Sequence, residues 1–220
     1  MNGIKLTTHP ARALRRVVFG TQLCEFLSSK QRLTQQAYLD IDWDAMETAT
    51  DLFPPLYRLW VFKHVSGFFG IGTMMKNWDF WDHSRCPCCN HEREDKVHLL
   101  TCPHPTSNEI WQESLLGLEA WMIDMDTDVT IRECILLCLE TRDPTQTFTA
   151  FSNPRSFQAA QAQDRIGWMN TTEGKVSHHW RHLQAKHYQS INSRRSAEKW
   201  AAGLVTNLLG IFCNLLFMTG

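Results

Sequence analysis

The chain has 220 residues and a formal net charge of −1, with 22 basic and 23 acidic side chains. This balance excludes an overall polyanion-binding signature but leaves room for a local basic surface. Hydrophobic residues make up 43% of the sequence, enough to build a buried core in one large domain or two small ones. The first residues lack the apolar run of a secretory signal, so we expect an intracellular protein, nuclear or cytoplasmic.

Apolar residues recur at helical spacing through most of the sequence and predict a mostly α-helical fold. A first helix is expected over Ala11–Leu27, and a second is expected to begin near Asp42 and run to Leu52. Pro55 is placed to open the next helix, because proline is tolerated in the first helical turn. Glycines between positions 67 and 72 predict that this helix ends in a loop.

The most specific pattern follows this loop. Four residues form the motif C-x2-C-x8-H-x3-C, which suits one tetrahedral Zn²⁺ ion: Cys86, Cys89, His98 and Cys102. The first pair lies in an expected tight turn, and Asn90 after it tolerates a left-handed backbone. The second pair is spaced four residues apart, so on a helix both side chains would lie on one face. We therefore expect a small zinc-knuckle-like insert with Zn²⁺ as its cofactor.

Two other interpretations of the cysteines stay open, namely buried thiols without a metal and a redox pair. The redox interpretation is the weaker one, because no βαβ setting surrounds the CxxC. Four nearby side chains are second choices as ligands: His83, Cys88, His91 and His104. Four Cys and His ligands complete a tetrahedral shell, so the expected site is structural rather than catalytic.

Two helices are expected after the metal segment. Thr106 or Ser107 is placed to cap the first, because a hydroxyl oxygen can accept hydrogen bonds from free N–H groups of the first turn. The second is expected over Val129–Leu139, with Thr127 or Asp128 as its cap. The predicted organisation has four parts: an N-terminal helical segment (1–77), the zinc-binding segment (78–105), a helical pair (106–145) and a C-terminal helical segment (146–220).

The polar stretch 141–156 predicts a linker, and three helices are expected after it. They are placed over Ser156–Ile166, Ser177–Ile191 and Ser196–Phe217. Residues 201–220 include no charged side chain and approach membrane-spanning length. A tail anchor is therefore an alternative to a helix buried in the core, and membrane contact is the less expected outcome.

Charge is distributed unevenly along the chain. Residues 119–143 carry seven acidic and two basic side chains, whereas 175–200 carry six basic side chains and one acidic one. Trp180, Tyr188 and Trp200 lie among these basic residues, a combination that could track phosphates and stack on bases. The candidate contacts to RNA or DNA are Arg181, Lys186, Arg194, Arg195 and Lys199. The alternative is that the aromatic rings belong to the core and the two charged segments face each other.

The metal segment and its surroundings resemble a known family. Trp60, Lys63, Gly67, Gly70 and Trp78, followed by CPCC and EDKVHLLTC, resemble the zinc-binding segment downstream of reverse transcriptases in non-LTR-type retroelements. Further similar positions, in a retroelement-associated family of diatoms and other microbial eukaryotes, are Gln163, Ile166-Gly167-Trp168, Gly174, Trp180, Gln184, Tyr188 and Trp200. The resemblance covers roughly residues 43–200.

The resemblance places the family's CPxC pair on Cys86 and Cys89 and its HxxxC pair on His98 and Cys102. It implies contact with nucleic acid and with a partner that bears a reverse transcriptase. The sequence departs from the family at Cys88, where a basic or polar residue is usual. It also lacks the family's ending after the apolar helix, which would make the chain a degenerate or truncated element.

No catalytic constellation accompanies the metal motif. The aspartate pair of a polymerase is missing, and Gly67–Gly72 lacks the lysine that follows a phosphate-binding loop. We therefore expect no enzyme, but a non-catalytic zinc-binding module of a retroelement-derived protein that binds RNA or DNA. The alternatives are a zinc-stapled structural or protein-interaction domain and a tail-anchored membrane protein.

Overall fold

The computed structural model describes residues 10–31 and 33–218, without the side chains of residues 10–18, 31, 217 and 218. These residues form eleven α-helices and two 3₁₀ helices. Residues 10–31 and 33–218 contain no β-strand, and their one extended pairing is an isolated antiparallel bridge between Ile41 and Ser177. The predicted mostly helical fold with a small Cys/His insert is confirmed.

The chain divides into two compact units, Met1–Leu39 and Asp40–Gly220. The first unit contains α1 (Pro10–Gln31) and most of α2 (Gln35–Asp40). Helix α1 confirms the expected first helix and continues beyond its predicted end at Leu27. The predicted zinc-binding segment lies within the second unit, together with all the helices that follow it.

The second unit contains the other nine α-helices of the described chain and both 3₁₀ helices. The α-helices are α3 (Trp43–Leu52), α4 (Pro55–Val65), α5 (Gly72–Asn77), α6 (Lys96–Thr101), α7 (Pro105–Asp124), α8 (Val129–Thr141), α9 (Phe157–Ile166), α10 (His178–Ser190) and α11 (Ala197–Met218), and the 3₁₀ helices are Phe148–Phe151 and Trp168–Glu173. Helix α3 begins as expected, because Asp42 Oδ1 accepts a hydrogen bond from the Ala45 N–H at 3.1 Å. Pro55 opens α4 as predicted, and the three C-terminal helices lie where they were expected.

Two expectations about local structure are wrong. Helix α7 begins at Pro105 with His104 at the N-cap, so neither Thr106 nor Ser107 caps it. The stretch 141–156 is also more than a linker, because Phe148 in its 3₁₀ helix is 1% exposed and packs into the core. The polar composition of residues 141–156 gave no indication of this buried ring.

Helix α11 lies at the centre of the core and packs against α3, α7 and α10. Its inward side chains are fully or almost fully buried: Leu204, Val205, Leu208, Leu209, Phe212 and Leu215. Gly203 lies against the ring of Trp121, where an added Cβ would come within 2.5 Å of Cζ2. A side chain at this position would therefore force the Trp121 ring to move.

Two observations bear on whether the apolar C-terminal segment spans a membrane. Residues Ala197–Leu216 are long and apolar enough to cross a membrane, by length and composition alone. However, 56% of the window that passes this test is buried inside the protein. The core helix of a folded domain passes the same test, so the packing of α11 favours the buried-helix alternative over the tail anchor.

The acidic and basic segments, whose facing was the alternative, contact each other at the turn between α7 and α8. Arg195 Nε lies 3.1 Å from Asp126 Oδ2, and His187 Nδ1 lies 3.4 Å from Asp128 Oδ2. Asp128 also caps α8, since its Oδ1 accepts from the Thr130 N–H at 2.8 Å. Part of the basic stretch therefore serves the packing of α10 against this turn.

Replacing Leu209 by alanine tests the role of α11 as a core helix. Its side chain is 0% exposed, so we expect Leu209→Ala to lower the free energy of unfolding by about 2–5 kcal/mol. Urea denaturation followed by circular dichroism measures this change.

The matched control is Leu116→Ala on α7, because Leu116 is 66% exposed. A change within about 0.5 kcal/mol is expected there. Equal, small effects of both substitutions would show that α11 does not build the core.

Candidate metal centre

The structure brings the four residues of the Cys/His motif together. One ligand atom from each of Cys86, Cys89, His98 and Cys102 lies within 4.8 Å of the others. The Sγ atoms of Cys86 and Cys102 are 3.9 Å apart, and Cys89 Sγ lies 3.2 Å from His98 Nε2. These four residues, called the Cys3His group below, could hold one metal ion.

The first two ligands lie in a tight turn. The Asn90 N–H donates to the Cys86 carbonyl at 3.0 Å, and the Cys86 N–H donates to the His91 carbonyl at 2.9 Å. Asn90 has a φ of 61°, the left-handed conformation expected for it. The turn thus folds the backbone back on itself and directs the Cys86 and Cys89 side chains to one point.

The last two ligands lie at the end of α6. Asp95 caps this helix by accepting from the His98 N–H at 3.0 Å. The helix ends at Thr101, and Cys102 follows it with a non-helical backbone of φ −54° and ψ 125°. Since φ sets the direction of a residue's own Cβ and this φ is helical, the Cys102 side chain still leaves the chain on the face that carries His98, as expected. The change of backbone direction at Cys102 turns the following chain away from the helix axis, while its thiol stays beside that of Cys86.

Burial makes this group unfavourable for thiolates on their own. Cys86 is 3% exposed and Cys102 is 1% exposed. Burial raises the pKa of the Cys86 thiol, and hydrogen bonds from the backbone of Cys88 and Cys89 only partly oppose that shift. Burial also lowers the pKa of His98 and thus disfavours its imidazolium form. A bound cation would supply the missing positive charge and make thiolates stable here.

The second-choice ligands lie outside the Cys3His group. The ring of His91 stacks on that of His98 with centroids 4.4 Å apart, while its Nδ1 lies 3.0 Å from the Arg93 carbonyl. His83 is exposed and lies near Asp82. The side chains of Cys88 and His104 are half-buried and likewise belong to no group of metal-ligand geometry among the described residues.

A buried glutamate supports the turn from behind. Glu94 Oε2 accepts a hydrogen bond from the Gly72 N–H at 2.7 Å, and the Glu94 N–H donates to the Ser84 carbonyl at 2.6 Å. An added Cβ at Gly72 would lie 2.6 Å from the Ser84 carbonyl oxygen. The start of α5 can therefore approach the metal segment only because position 72 is a glycine.

A second buried glutamate joins the metal segment to the helical core. Glu173 is 3% exposed, and the side chains of two lysines each contact one oxygen of its carboxylate. Lys96 Nζ, from the first turn of α6, lies 2.5 Å from Glu173 Oε1, and Lys175 Nζ contacts Oε2. Lys96 also donates to Asn170 Oδ1 at 3.1 Å. This Lys96–Glu173–Lys175 cluster was not predicted, because its members lie far apart in the sequence or within a short polar run.

The charge state of Glu173 depends on these lysines. Burial alone would raise the pKa of this carboxyl, but Lys96 and Lys175 lower it from 4.5 to about 2. Because the folded-state pKa is the lower one, the carboxylate's contribution to stability is complete above about pH 4.5. It is lost as the pH falls from there towards 2.

The candidate nucleic-acid contacts divide into two sets. Arg181 Nε lies 3.0 Å from Asp42 Oδ2, and Arg195 pairs with Asp126, so both arginines form ion pairs within the protein. The other three are exposed: Lys186, Arg194 and Lys199. Among the described residues, no ion pair is formed by this second set.

The aromatic residues of the same stretch belong to the core. Trp180, Tyr188 and Trp200 are at most 3% exposed. Each also uses its polar atom inside the protein; the Trp200 Nε1–H, for example, donates to Thr127 Oγ1 at 2.8 Å. The hypothesis that these rings stack on bases is therefore wrong, and the alternative that they form core contacts is confirmed.

Comparisons with known proteins identify no relative of this chain. No protein-family model matches the chain, and no curated protein or solved structure is significantly similar to it. The resemblance to retroelement zinc segments thus stays a prediction from the motif residues.

Replacing Glu173 by glutamine tests whether the charged cluster holds the metal segment in place. The variant leaves Lys175 buried without its counter-charge, so we expect the free energy of unfolding to fall by about 3–5 kcal/mol at neutral pH. Urea denaturation of Glu173→Gln against the parent protein measures the loss.

The matched comparison is Glu173→Leu combined with Lys175→Met, which removes both fully buried charges. Lys96 is 21% exposed and can turn towards water. We expect the double variant to regain most of the lost stability. A double variant less stable than Glu173→Gln would show that the charges themselves stabilise the fold.

Proposed function

We propose that the Cys3His group is a structural zinc site and that the chain is a non-catalytic, zinc-stapled helical module. The observation that carries this proposal is the convergence of three sulfur atoms and one imidazole nitrogen within 4.8 Å. Zn–S bonds of about 2.3 Å in a tetrahedron put two sulfurs about 3.8 Å apart. The 3.9 Å between the Sγ atoms of Cys86 and Cys102 fits this value.

The donor set supports zinc over the hard divalent ions. Thiolate and imidazole together suit a borderline-soft cation, whereas magnesium and calcium prefer oxygen ligands. Four protein ligands fill a tetrahedral shell and leave no position for a substrate, which supports a structural role and no catalysis. The zinc would join the Cys86–Cys89 turn to the end of α6, and Lys96 would join that helix to the core.

Zinc content tests the ligand assignment directly. We expect the purified protein to retain zinc through dialysis and Cys86→Ser to lose most of it, because a lost thiolate leaves an incomplete shell. Replacing the zinc with Co²⁺ should give thiolate-to-cobalt charge-transfer bands in the parent protein. Since binding of structural zinc contributes on the order of 10 kcal/mol, chelation should also lower the thermal unfolding temperature clearly.

The control is Cys134→Ser, because Cys134 is a buried thiol outside the Cys3His group. Burial raises its pKa to about 12, so it stays a protonated core side chain. Full zinc retention by Cys86→Ser, or equal loss by Cys134→Ser, would contradict the proposal.

We propose nucleic acid as the ligand of this module, a second step that rests on exposed residues. Lys186, Arg194 and Lys199 are exposed and unlike Arg181 and Arg195 form no ion pair among the described residues. The resemblance to retroelement zinc segments supports RNA or DNA, and a reverse-transcriptase-bearing partner, over other ligands. A protein-interaction domain is the alternative, favoured if no nucleic acid binds.

Aromatic side chains for base stacking are available on the metal segment rather than on α10. Phe80 is 71% exposed and Trp78 is 39% exposed. An open cleft of about 660 Å³ lies beside Cys86, and Phe80, Trp81, His83 and Arg85 are among its lining residues. Rings and a cation around one cleft provide the contacts that sequence-tolerant binding of single strands uses.

Salt-dependent binding to single-stranded RNA tests the phosphate contacts. Each phosphate contact to a single strand contributes about −0.7 to the slope of log affinity against log salt. Replacing Lys186, Arg194 and Lys199 together by alanine should therefore make that slope shallower by about 2. Fluorescence anisotropy with a labelled oligonucleotide at several salt concentrations measures it.

Two further variants separate stacking from charge. Phe80→Ala should weaken binding without changing the salt slope, because stacking releases no counterions. Phe62→Ala is its matched control, since Phe62 is 61% exposed and lies on α4, outside the metal segment. An unchanged slope in the triple variant would overturn the assignment of phosphate contacts to these residues, and absence of binding by the parent protein would overturn the nucleic-acid proposal, while the zinc proposal stays intact in both cases.

A further inference from the structure

A group of three histidines lies at the start of α10, in a different part of the chain from the Cys3His group. One ring nitrogen from each of His178, His179 and His182 lies within 4.8 Å of the others. The ring centroid of His178 is 4.3 Å from that of His179 and 5.0 Å from that of His182. His182 follows the other two by four and three residues, the spacings at which side chains meet on a helix surface. These three residues are called the tri-histidine group below.

The backbone that carries the tri-histidine group is fixed by contacts on both sides. Ser177 caps α10, since its Oγ accepts from the His179 N–H at 3.2 Å. Ser177 also pairs with Ile41 in the antiparallel bridge, and the Asp42 N–H donates to the Val176 carbonyl at 2.8 Å. The first turn of α10 therefore presents its histidines from a well-anchored position.

We propose that His178, His179 and His182 form a second site for a divalent transition-metal ion such as Zn²⁺, one that exchanges its metal readily. Imidazole nitrogen is a ligand that suits zinc, nickel and copper. His182 is exposed and the other two are half-buried, so an ion can enter from solvent. The Nδ1 atom of His178 is buried without a hydrogen-bond partner among the described residues, so no hydrogen bond within this part of the chain occupies that nitrogen.

The electrostatic surroundings combine opposing effects. The N-terminal end of a helix carries partial positive charge, which disfavours a cation at its first turn. The carboxylates of Asp40 and Asp42, brought close by the antiparallel bridge, act on the histidines in the opposite sense. Arg165 and Arg181 lie 2.7 and 3.0 Å from these carboxylates and neutralise part of their charge. The site is thus suited to a cation held by coordination bonds more than by net charge.

The Cys3His group and the tri-histidine group differ in the number of coordination positions that they leave free. The Cys3His group offers four ligands and completes a tetrahedral shell, whereas three imidazoles leave a fourth position for water or for an outside ligand. Thiolates also bind zinc as anions, while imidazoles bind it as neutral groups. The tri-histidine group should therefore be the weaker and more exchangeable of the two sites, and its open position could accept a side chain of a bound partner.

Zinc uptake by the full chain with a zinc-loaded Cys3His group tests this proposal. Equilibrium dialysis at rising free Zn²⁺, followed by elemental analysis, should show one further equivalent in the parent protein. His182→Ala should retain the first equivalent and bind the second at least about 10-fold more weakly, since even outer-shell changes at metal sites cost that much. Cu²⁺ bound in place of the second zinc should show nitrogen couplings in its electron paramagnetic resonance spectrum.

The matched control is His187→Ala on the same helix, because His187 contacts Asp128 rather than the tri-histidine group. It should leave the second equivalent unchanged, and unaltered circular dichroism would show that both variants fold. Absence of a second equivalent in the parent protein, or equal uptake by His182→Ala, would overturn the proposal. His182→Ala should keep the zinc of the Cys3His group while it loses the exchangeable one, so failure of this proposal is distinguishable from failure of the structural site.

Discussion

A carboxylate without access to water must be paired, and Glu173 is the residue at which this constraint organises the fold. An unpaired charge in the interior costs several kcal/mol, so the Glu173 carboxylate needs its positively charged partners in the folded state. Lys175 comes from the same short segment, and Lys96 comes from the metal segment. The first turn of α6, the 3₁₀ helix that ends at Glu173 and the core around α11 therefore depend on one another in the folded protein.

This constraint gives α6 its unusual role. A helix of six residues is too short to be stable by itself, since nucleation outweighs the few hydrogen bonds gained. Its first residue, Lys96, binds Glu173, and its end carries His98 and Cys102. The helix is thus held at one end by charge and at the other by the proposed zinc. Between these ends, Leu99 and Leu100 are 4% and 0% exposed and pack the helix into the core.

Local rules predicted much of this molecule, and long-range contacts explain what they missed. The helices after residue 127, the Asp42 and Asp128 caps and the turn at Asn90 follow from neighbouring residues, as does the grouping of the four metal ligands from their spacing. Phe148 and the Lys96–Glu173 pair depend on residues distant in sequence, so composition concealed both. The rings of Trp180 and Trp200 lay on a basic stretch, and only the packing of α10 and α11 shows that they point inward.

The separation between the two anchors of α6 also gives the chain an order of assembly. The Cys3His ligands span a single short loop, whose closure costs little entropy, whereas Glu173 lies much farther along the chain. During synthesis, a growing polypeptide exposes the complete ligand set well before it exposes the carboxylate that Lys96 requires. In a nascent chain, the proposed zinc could therefore bind first, and the finished loop would dock onto the helical body later.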